Sequence, residues 1–120
     1  MPIVYHRDRT SASPVPGVSR LITADRDLGS GAITMGSVVI EPGAAVLPHY
    51  HPVEEAMTLL EGDLRVLIGD EVTDVRGGAA TIIAPGNTVH ALRNIGTVAA
   101  RLVIAYPTVN VPSIRVERDF

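Results

Sequence analysis

Hydrophobic residues in this chain recur in short runs that often alternate with polar positions, and Gly, Pro, Asn or Asp separate one run from the next. An alternation with a period of two is typical of β-strands, because successive side chains of a strand point to opposite faces. Three-and-four spacing is rarely sustained, and 11 glycines and 9 prolines interrupt the chain too often for long helices. The pattern predicts strands at residues 19–24, 32–41, 54–60, 64–68, 72–75, 79–84, 89–94 and 98–106.

The two ends of the chain have a less regular pattern. Residues 1–18 are predicted to begin with a short β-prone piece at 3–5 and to continue as a Ser/Pro/Gly-rich loop. Residues 107–120 form a tail that is predicted either to add an edge strand at 114–116 or to cross to a partner subunit. Many short strands at regular spacing favour an antiparallel sandwich or barrel, so we expect one all-β domain over residues 1–120.

Composition narrows the chemistry that such a domain can perform. Hydrophobic residues make up 46% of the 120 residues, and no apolar run approaches the roughly 18 residues of a membrane span. A net charge of −3 with scattered arginines provides no basic surface for nucleic acid, so we expect a small-molecule partner. No secretory signal pattern is found at the N-terminus, and the expected location is the cytoplasm. Because Cys and Lys are absent, any metal ligand must be His, Asp, Glu or water.

Three side chains that can bind a metal lie close together in the middle of the chain. His49 and His51 are two residues apart, so in a strand they point to the same face. Glu55 has the same parity, but four residues of straight strand span about 13 Å, too far for ligands that share one ion at bonds of about 2 Å. The chain is therefore predicted to turn at Pro52. Glu54 is a competing carboxylate, and the strand parity favours Glu55.

A fourth candidate ligand, His90, follows a turn at residues 85–87 and lies on a later predicted strand that a barrel can bring beside the first group. Three neutral imidazoles and one carboxylate leave a divalent ion with a net charge of about +1 and, in an octahedral field, about two positions open to oxygen ligands. These donors suit iron, manganese, nickel, zinc or copper, so the metal identity stays open. The alternative is that these histidines are unrelated packed or surface residues. Three of the chain's four histidines would then lie on matching strand faces by accident. His6, the fourth, is expected to be an exposed or hydrogen-bonded side chain.

The two stretches resemble the paired motifs of the cupin superfamily. The first motif is met without a gap by Gly43, His49, His51, Glu55 and Gly62. The second is met by Pro85, His90 and Asn94. It departs from the family pattern twice: the leading glycine is Gly78, one residue early, and the glycine after the proline is Gly86, followed by Asn87, which can supply the same left-handed turn geometry.

This resemblance implies a small cupin-type jelly-roll β-barrel of short antiparallel strands, usually dimeric, with one divalent transition metal ion in the barrel mouth. Its ligands would be His49, His51, Glu55 and His90. Cupins with this ligand set include dioxygenases, decarboxylases, isomerases and lyases, and also proteins that only bind a ligand. We expect a metal-dependent enzyme acting on a small enolate- or carboxylate-bearing molecule, with dioxygenase-like or related lyase or isomerase chemistry. Glu55 would be a ligand and also a catalytic base.

Two other functions compete with this expectation. A non-catalytic, metal-dependent module that binds or senses a small ligand is the alternative, because a fold and a metal do not specify a reaction. A metal-free epimerase-like cupin is disfavoured by the intact ligand set.

The remaining prominent residues are predicted to be structural. Met57 and Leu59 are expected to line the barrel. The residues expected at the surface or at interfaces, without a catalytic role, are Tyr50, Arg65, Arg93 and Tyr106. The residues expected to cover an outer sheet face against a twin subunit of a homodimer are Ala56, Leu60, Val66 and Ile68.

Overall fold

Short runs of aliphatic and β-branched residues form eleven strands in the computed structural model, which describes residues 2–120. Met1, the first residue of the predicted N-terminal segment, lies outside the described residues. The strands are β1 (Ala12–Val15), β2 (Val18–Ala24), β3 (Thr34–Ile40), β4 (Ala45–Tyr50), β5 (Glu55–Glu61), β6 (Leu64–Ile68), β7 (Glu71–Val75), β8 (Ala80–Ala84), β9 (His90–Asn94), β10 (Ala100–Tyr106) and β11 (Ile114–Arg115). The helix found within residues 2–120 is a single 3₁₀ turn at His6–Asp8.

The strands form two antiparallel sheets. Sheet A has the order β1-β2-β3-β10-β5-β8, and sheet B has the order β11-β4-β9-β6-β7. From β3 to β6 and again from β7 to β11, the chain crosses from one sheet to the other at each step, which brings distant strands together. The all-β jelly-roll architecture predicted from the sequence is confirmed.

The core lies between the inner faces of the two sheets. In β3 and β10, buried residues alternate with half-buried or exposed ones along the whole strand, which is the pattern of a sheet with one packed face. The fully buried side chains include Ile40, Leu59, Leu64 and Leu102. Met57 is also buried, in agreement with its predicted inward orientation.

The N-terminal segment differs from the sequence prediction. Residues 3–5 form no strand, and residues 12–15, which were predicted as loop, form β1. Propensity missed this strand because it is polar and mostly exposed, so its hydrophobic pattern is weak. Its formation depends on the adjacent turn, where Gly17 has a φ of +79°, and on the Ser13 hydroxyl, which donates to the Val18 carbonyl over 2.9 Å.

The C-terminal tail folds back onto its own chain. Of the two alternatives left open by the sequence, the structure shows the edge strand: β11 pairs with β4, and the Val116 amide donates to the Pro48 carbonyl over 3.0 Å. Arg118 holds the tail further along by donating to the Gly69 carbonyl (2.8 Å) and to Asp70 (3.0 Å). In the part of the chain that is described, no helix is long and apolar enough to cross a bilayer.

The residues predicted to cover one outer sheet face against a twin subunit do not lie on a common outer face. Val66 packs in the core cluster with 3% of its surface exposed, whereas Leu60 is 60% exposed on the other sheet. In strand β6, Leu64, Val66 and Ile68 alternate onto the core side, so the sequence prediction assigned Val66 and Ile68 to the wrong side of the sheet.

Two turns from separate parts of the sequence, at residues 51–53 and 85–87, are in direct backbone contact. The Asn87 amide donates to the His51 carbonyl over 2.6 Å, and Asn87 has the predicted left-handed conformation with a φ of +61°. A Cβ atom at Gly86 would lie 2.8 Å from the Pro52 carbonyl oxygen, so only glycine allows this close approach of the two backbones. The contact places the start of β5 beside the start of β9.

The Asn94 side chain connects the C-terminal end of β9 to β3 and to the loop that follows β9. Its buried amide donates to the carbonyls of Ile40 and Val98, each over 2.8 Å, and its side-chain oxygen accepts from the Gly96 amide over 2.8 Å. The Asn of the second motif is therefore structural in this fold.

We expect Asn94→Ala to lower the free energy of unfolding by about 2–4 kcal/mol, because it leaves buried backbone groups without partners. Urea unfolding measures the change. Asn110→Ala, an exposed asparagine, is the matched control and should stay within about 0.5 kcal/mol of the parent chain. Equal unfolding midpoints for the two variants would contradict the structural role of Asn94.

Candidate metal centre

The structure brings together the four side chains that the sequence predicted as ligands. His49 lies near the end of β4, His51 directly follows it, and Glu55 and His90 are the first residues of β5 and β9. One potential ligand atom from each of the four lies within 4.8 Å of the others. Glu55 is buried whereas Glu54 is exposed, so Glu55 is the carboxylate that belongs to the cluster.

A bulge in β4 aligns the histidines of the two motifs. Val46 pairs with Leu92 and His49 pairs with His90, so three steps along β4 match two steps along β9. Because residues directly opposite each other share a face, the bulge puts the His49 and His90 rings side by side, with centroids 4.4 Å apart. The chain then bends at residues 52–53, as predicted, and returns as β5.

Backbone carbonyls fix the tautomer of all three imidazoles. A carbonyl oxygen can only accept a hydrogen bond, so the Nδ1 atom that contacts it must carry the proton. A neutral imidazole then directs its Nε2 lone pair toward the other three side chains, which is the arrangement that hydrogen bonds from Nδ1 give to metal-binding histidines. The three contacts are His49 Nδ1 to Leu47 O (2.7 Å), His51 Nδ1 to Pro112 O (3.1 Å) and His90 Nδ1 to Thr88 O (3.0 Å).

The remaining atoms of the cluster repel one another unless a positive charge lies among them. Glu55 Oε1 is 2.9 Å from His90 Nε2 and 3.4 Å from His51 Nε2. The Nε2 atom of His51 is buried and has no hydrogen-bond partner among the described residues. Ligands that share an ion at bonds of about 2 Å lie about 3 Å apart, so the spacing and the three-nitrogen, one-oxygen donor set fit a divalent ion.

The protonation states of the cluster also suit a metal. Burial by itself raises the pKa of the Glu55 carboxyl, but contacts with His51 and His90 outweigh it and lower that pKa to about 2. Burial, with a smaller contribution from the neighbouring histidines and against the opposing effect of the Leu47 carbonyl, lowers the pKa of His49 from 6.5 to about 4. At neutral pH the carboxylate is charged and His49 is neutral, the forms in which both groups bind metals.

The cluster lies at the inner end of an apolar cleft. An inner cavity of about 90 Å³ has the four side chains in its wall together with Val38, Val46, Met57, Leu92 and Ile104. An outer cavity of about 170 Å³ continues toward solvent. The two are parts of one cleft, because both are lined by Pro14, Val18, Arg20, Val46, His49 and Ser113.

Tyr106 was predicted to lie at the surface, and that prediction is wrong. The side chain is 7% exposed, lines the inner cavity and packs edge-on against the His51 ring with centroids 5.1 Å apart. Its parity with the buried Leu102 and Ile104 on β10 was the signal that could have identified it. Burial raises the pKa of the phenol well above its ordinary value, and the adjacent Glu55 carboxylate raises it further, so Tyr106 keeps its proton.

Arg20 is a second cleft residue that the sequence prediction missed, because it belongs to no motif. Arg65 and Arg93 were predicted to be surface residues. Arg65 pairs with Asp74 on an exposed face, and Arg93 stacks on Phe120, so neither lies in the cleft.

Comparison with known proteins gives a family match and several relatives of similar sequence. The sequence model of the cupin domain matches residues 36–106. Protein SchB of Streptomyces halstedii is 34% identical over 88 residues, and the tetracenomycin polyketide synthase protein TcmJ of Streptomyces glaucescens is 30% identical over 88 residues. Each alignment covers 72% of this chain, but 63% of SchB and 58% of TcmJ, so the chain spans about three-fifths of the length of these relatives.

Among solved structures, the polyketide cyclase RemF from Streptomyces resistomycificus has a similar fold. The superposition has a TM-score of 0.81 and covers 99% of this chain and 87% of RemF at 20% sequence identity. At this level of identity the similarity shows a shared fold.

Metal-free protein should lose stability as the pH falls from 6.5 toward 4, because the unfolded chain takes up a proton at His49 that the folded chain excludes. The loss should be about 1–3 kcal/mol. Urea unfolding of chelator-treated protein across this pH range measures it. His49→Gln should flatten the dependence, whereas His6→Gln, at an exposed histidine, should leave it unchanged. A flat profile for the parent chain would contradict the burial effect on His49.

Chelator-treated protein should bind one divalent ion per chain, since one donor atom from each of the four side chains lies within 4.8 Å of the others. Titration calorimetry with Mn²⁺ or Ni²⁺ measures the stoichiometry and the affinity. Glu55→Gln should weaken binding by about 100-fold or more, because it removes a ligand charge. Glu54→Gln is the matched control, and equal affinities for the two variants would refute ligation by Glu55.

Proposed function

This chain belongs to the cupin family, and on that premise we propose that it is a divalent-metal-dependent enzyme that acts on small enolisable dicarbonyl compounds of the polyketide type. The observation that carries the proposal is the cluster of three imidazoles and one carboxylate at the closed end of an apolar cleft. The similarity to TcmJ, a polyketide synthase protein, and to RemF, a polyketide cyclase, supports this substrate class.

The donor set favours an oxygen-rich substrate. A divalent ion held by the four side chains would supply Lewis-acid chemistry to a carbonyl or enolate oxygen. The single carboxylate of Glu55 balances only part of the charge of such an ion, so an anionic oxygen ligand is favoured in the cleft. A pKa of about 2 makes Glu55 a weak base, and we assign it mainly to metal ligation.

Tyr106 is the proposed proton donor. Its phenol lies beside Glu55 and against the His51 ring, in the wall of the inner cavity. Since the phenol keeps its proton, it can donate to a carbonyl oxygen that gains negative charge during reaction. The apolar side chains Val38, Met57 and Ile104 line the same space and lower the local dielectric constant, which strengthens this interaction.

Aldol-type ring closure is the reaction that fits these residues. A carbon next to a carbonyl group loses a proton and bonds to another carbonyl carbon, whose oxygen gains a proton, so no oxidant or reductant is needed. Loss of water then gives the aromatic ring. Dioxygenase-like chemistry, the homodimer and the cytoplasmic location stay predictions, and a module that only binds its ligand is the alternative to an enzyme.

Metal-loaded protein should accelerate the conversion of heptane-2,4,6-trione to 3,5-dihydroxytoluene and water, measured by chromatography against buffer containing the same metal. Chelation should abolish the acceleration, and Tyr106→Phe should reduce it by about 10–100-fold with unchanged metal content. Tyr5→Phe, at an exposed tyrosine, is the control and should have no effect.

The same assay separates the competing functions. Binding of the trione without turnover would favour the binding module. Oxygen consumption in an electrode cell, with the trione or with related diketones, would replace the cyclase proposal with dioxygenase chemistry. Full activity after metal removal would refute the metal-dependent function.

A further inference from the structure

A positively charged side chain lies on the inner face of sheet A. Arg20 pairs with Val38, a core residue, and alternates with Val18 and Ile22 along β2, so its side chain points to the cleft side of the sheet. Among the inward-facing positions described for this sheet, only Arg20 and Glu55 carry charge. An arginine on a mostly apolar inner face suggests a ligand-binding role, whereas an arginine on an outer surface is ordinary.

A second arginine reaches the same cleft from the opposite sheet. Arg115 on β11 pairs directly with His49 on β4, and cross-strand partners share a face. It therefore lies on the same side of sheet B as the metal cluster, and it lines the outer cavity together with Arg20. The two guanidinium groups come from parts of the sequence almost a hundred residues apart and face one space.

Neither group has an anionic partner within residues 2–120. Of the chain's ten cationic side chains, all arginine, four form salt bridges, one donates to a backbone carbonyl and two stack on aromatic rings. The three that remain are Arg20, Arg26 and Arg115. All three are exposed, and solvation alone is an ordinary state for an exposed arginine, but Arg20 and Arg115 line one cleft.

The outer cleft is positively charged although the protein has a net charge of −3. Its lining contains both arginines and no Asp or Glu. A cleft with charge of one sign concentrates ligands of the opposite sign. A planar guanidinium also matches a carboxylate with two parallel hydrogen bonds, so two of them confer chemical specificity as well as attraction.

We propose that Arg20 and Arg115 form an anion subsite that binds a carboxylate of the substrate in the outer cleft while its dicarbonyl end occupies the inner cavity. This inference rests on the proposed function and narrows its substrate class to enolisable dicarbonyl acids. The inner cavity of about 90 Å³ is small, so a substrate that enters it must extend into the outer cavity where the arginines lie. The two arginines are specificity-determining residues and take no part in proton transfer.

A matched pair of ligands tests the subsite. The acid is 4,6-dioxoheptanoate and its neutral counterpart is heptane-2,4-dione, which has the same seven-carbon skeleton and the same dicarbonyl group. Titration calorimetry of metal-loaded protein should show a preference of about tenfold or more for the acid, and the preference should decline with added salt. The Arg20→Gln, Arg115→Gln double variant should lose this preference to within about twofold, and its affinity for heptane-2,4-dione should not change.

Control variants exclude an effect of net charge or of folding. Arg101→Gln removes one positive charge from the exposed outer side of sheet A and should keep the preference for the acid. Arg20→Lys with Arg115→Lys retains the charge but loses the planar fork, so an intermediate preference is expected. Elemental analysis should show equal metal content in all variants.

The outcomes distinguish the subsite from the proposed function. If the loaded protein binds both ligands equally and the double variant behaves like the parent chain, the subsite is refuted while the dicarbonyl function stands. If the protein binds neither ligand, both are refuted. If Arg101→Gln reduces the preference as much as the double variant does, the effect is one of net charge and the subsite is refuted.

Discussion

The structure depends on an electrostatic constraint: four side chains, three of them buried, direct lone pairs at one another. Leu47, Pro112 and Thr88 carbonyls hold the imidazole protons on Nδ1, so the three Nε2 atoms face the Glu55 carboxylate without protons of their own. The unpartnered Nε2 of His51 is the part of this arrangement that nothing in the described chain satisfies. Buried lone pairs in this geometry favour a cation, and this is the feature of the fold that suggests a metal ion.

The scaffold keeps these groups in place through contacts between distant segments. The turn that carries Gly86 packs on the Pro52 carbonyl, and the bulge in β4 sets His49 opposite His90. The C-terminal segment takes part as well, because the Pro112 carbonyl orients His51 and β11 closes the edge of β4. The tail is therefore part of the site's support, and movement of one segment would disturb ligands that belong to another.

The lining of the cleft changes from apolar near the cluster to positively charged at the outer end. Apolar walls and the buried Tyr106 phenol surround the inner end, whereas Arg20 and Arg115 make the outer end positive. The proposed elongated anionic substrate would be oriented by this gradient, with its reactive carbonyls in the low-dielectric region, where hydrogen bonds and charges act most strongly. The proposed ring closure is redox-neutral and would need only these features.

The sequence alone determined most strands and the four residues of the candidate metal cluster, because period-two alternation and Gly/Pro punctuation are local, and because His49, His51, Glu55 and His90 stand in recognisable motifs. It missed β1, whose formation depends on a hairpin rather than on hydrophobicity, and it misplaced Val66 and Tyr106. Only the tertiary structure decided the register shift in β4, the docking of the tail on His51, and the meeting of Arg20 with Arg115. Those features arise from pairing between residues far apart in the chain, and no local pattern encodes which distant strand will lie opposite a given side chain.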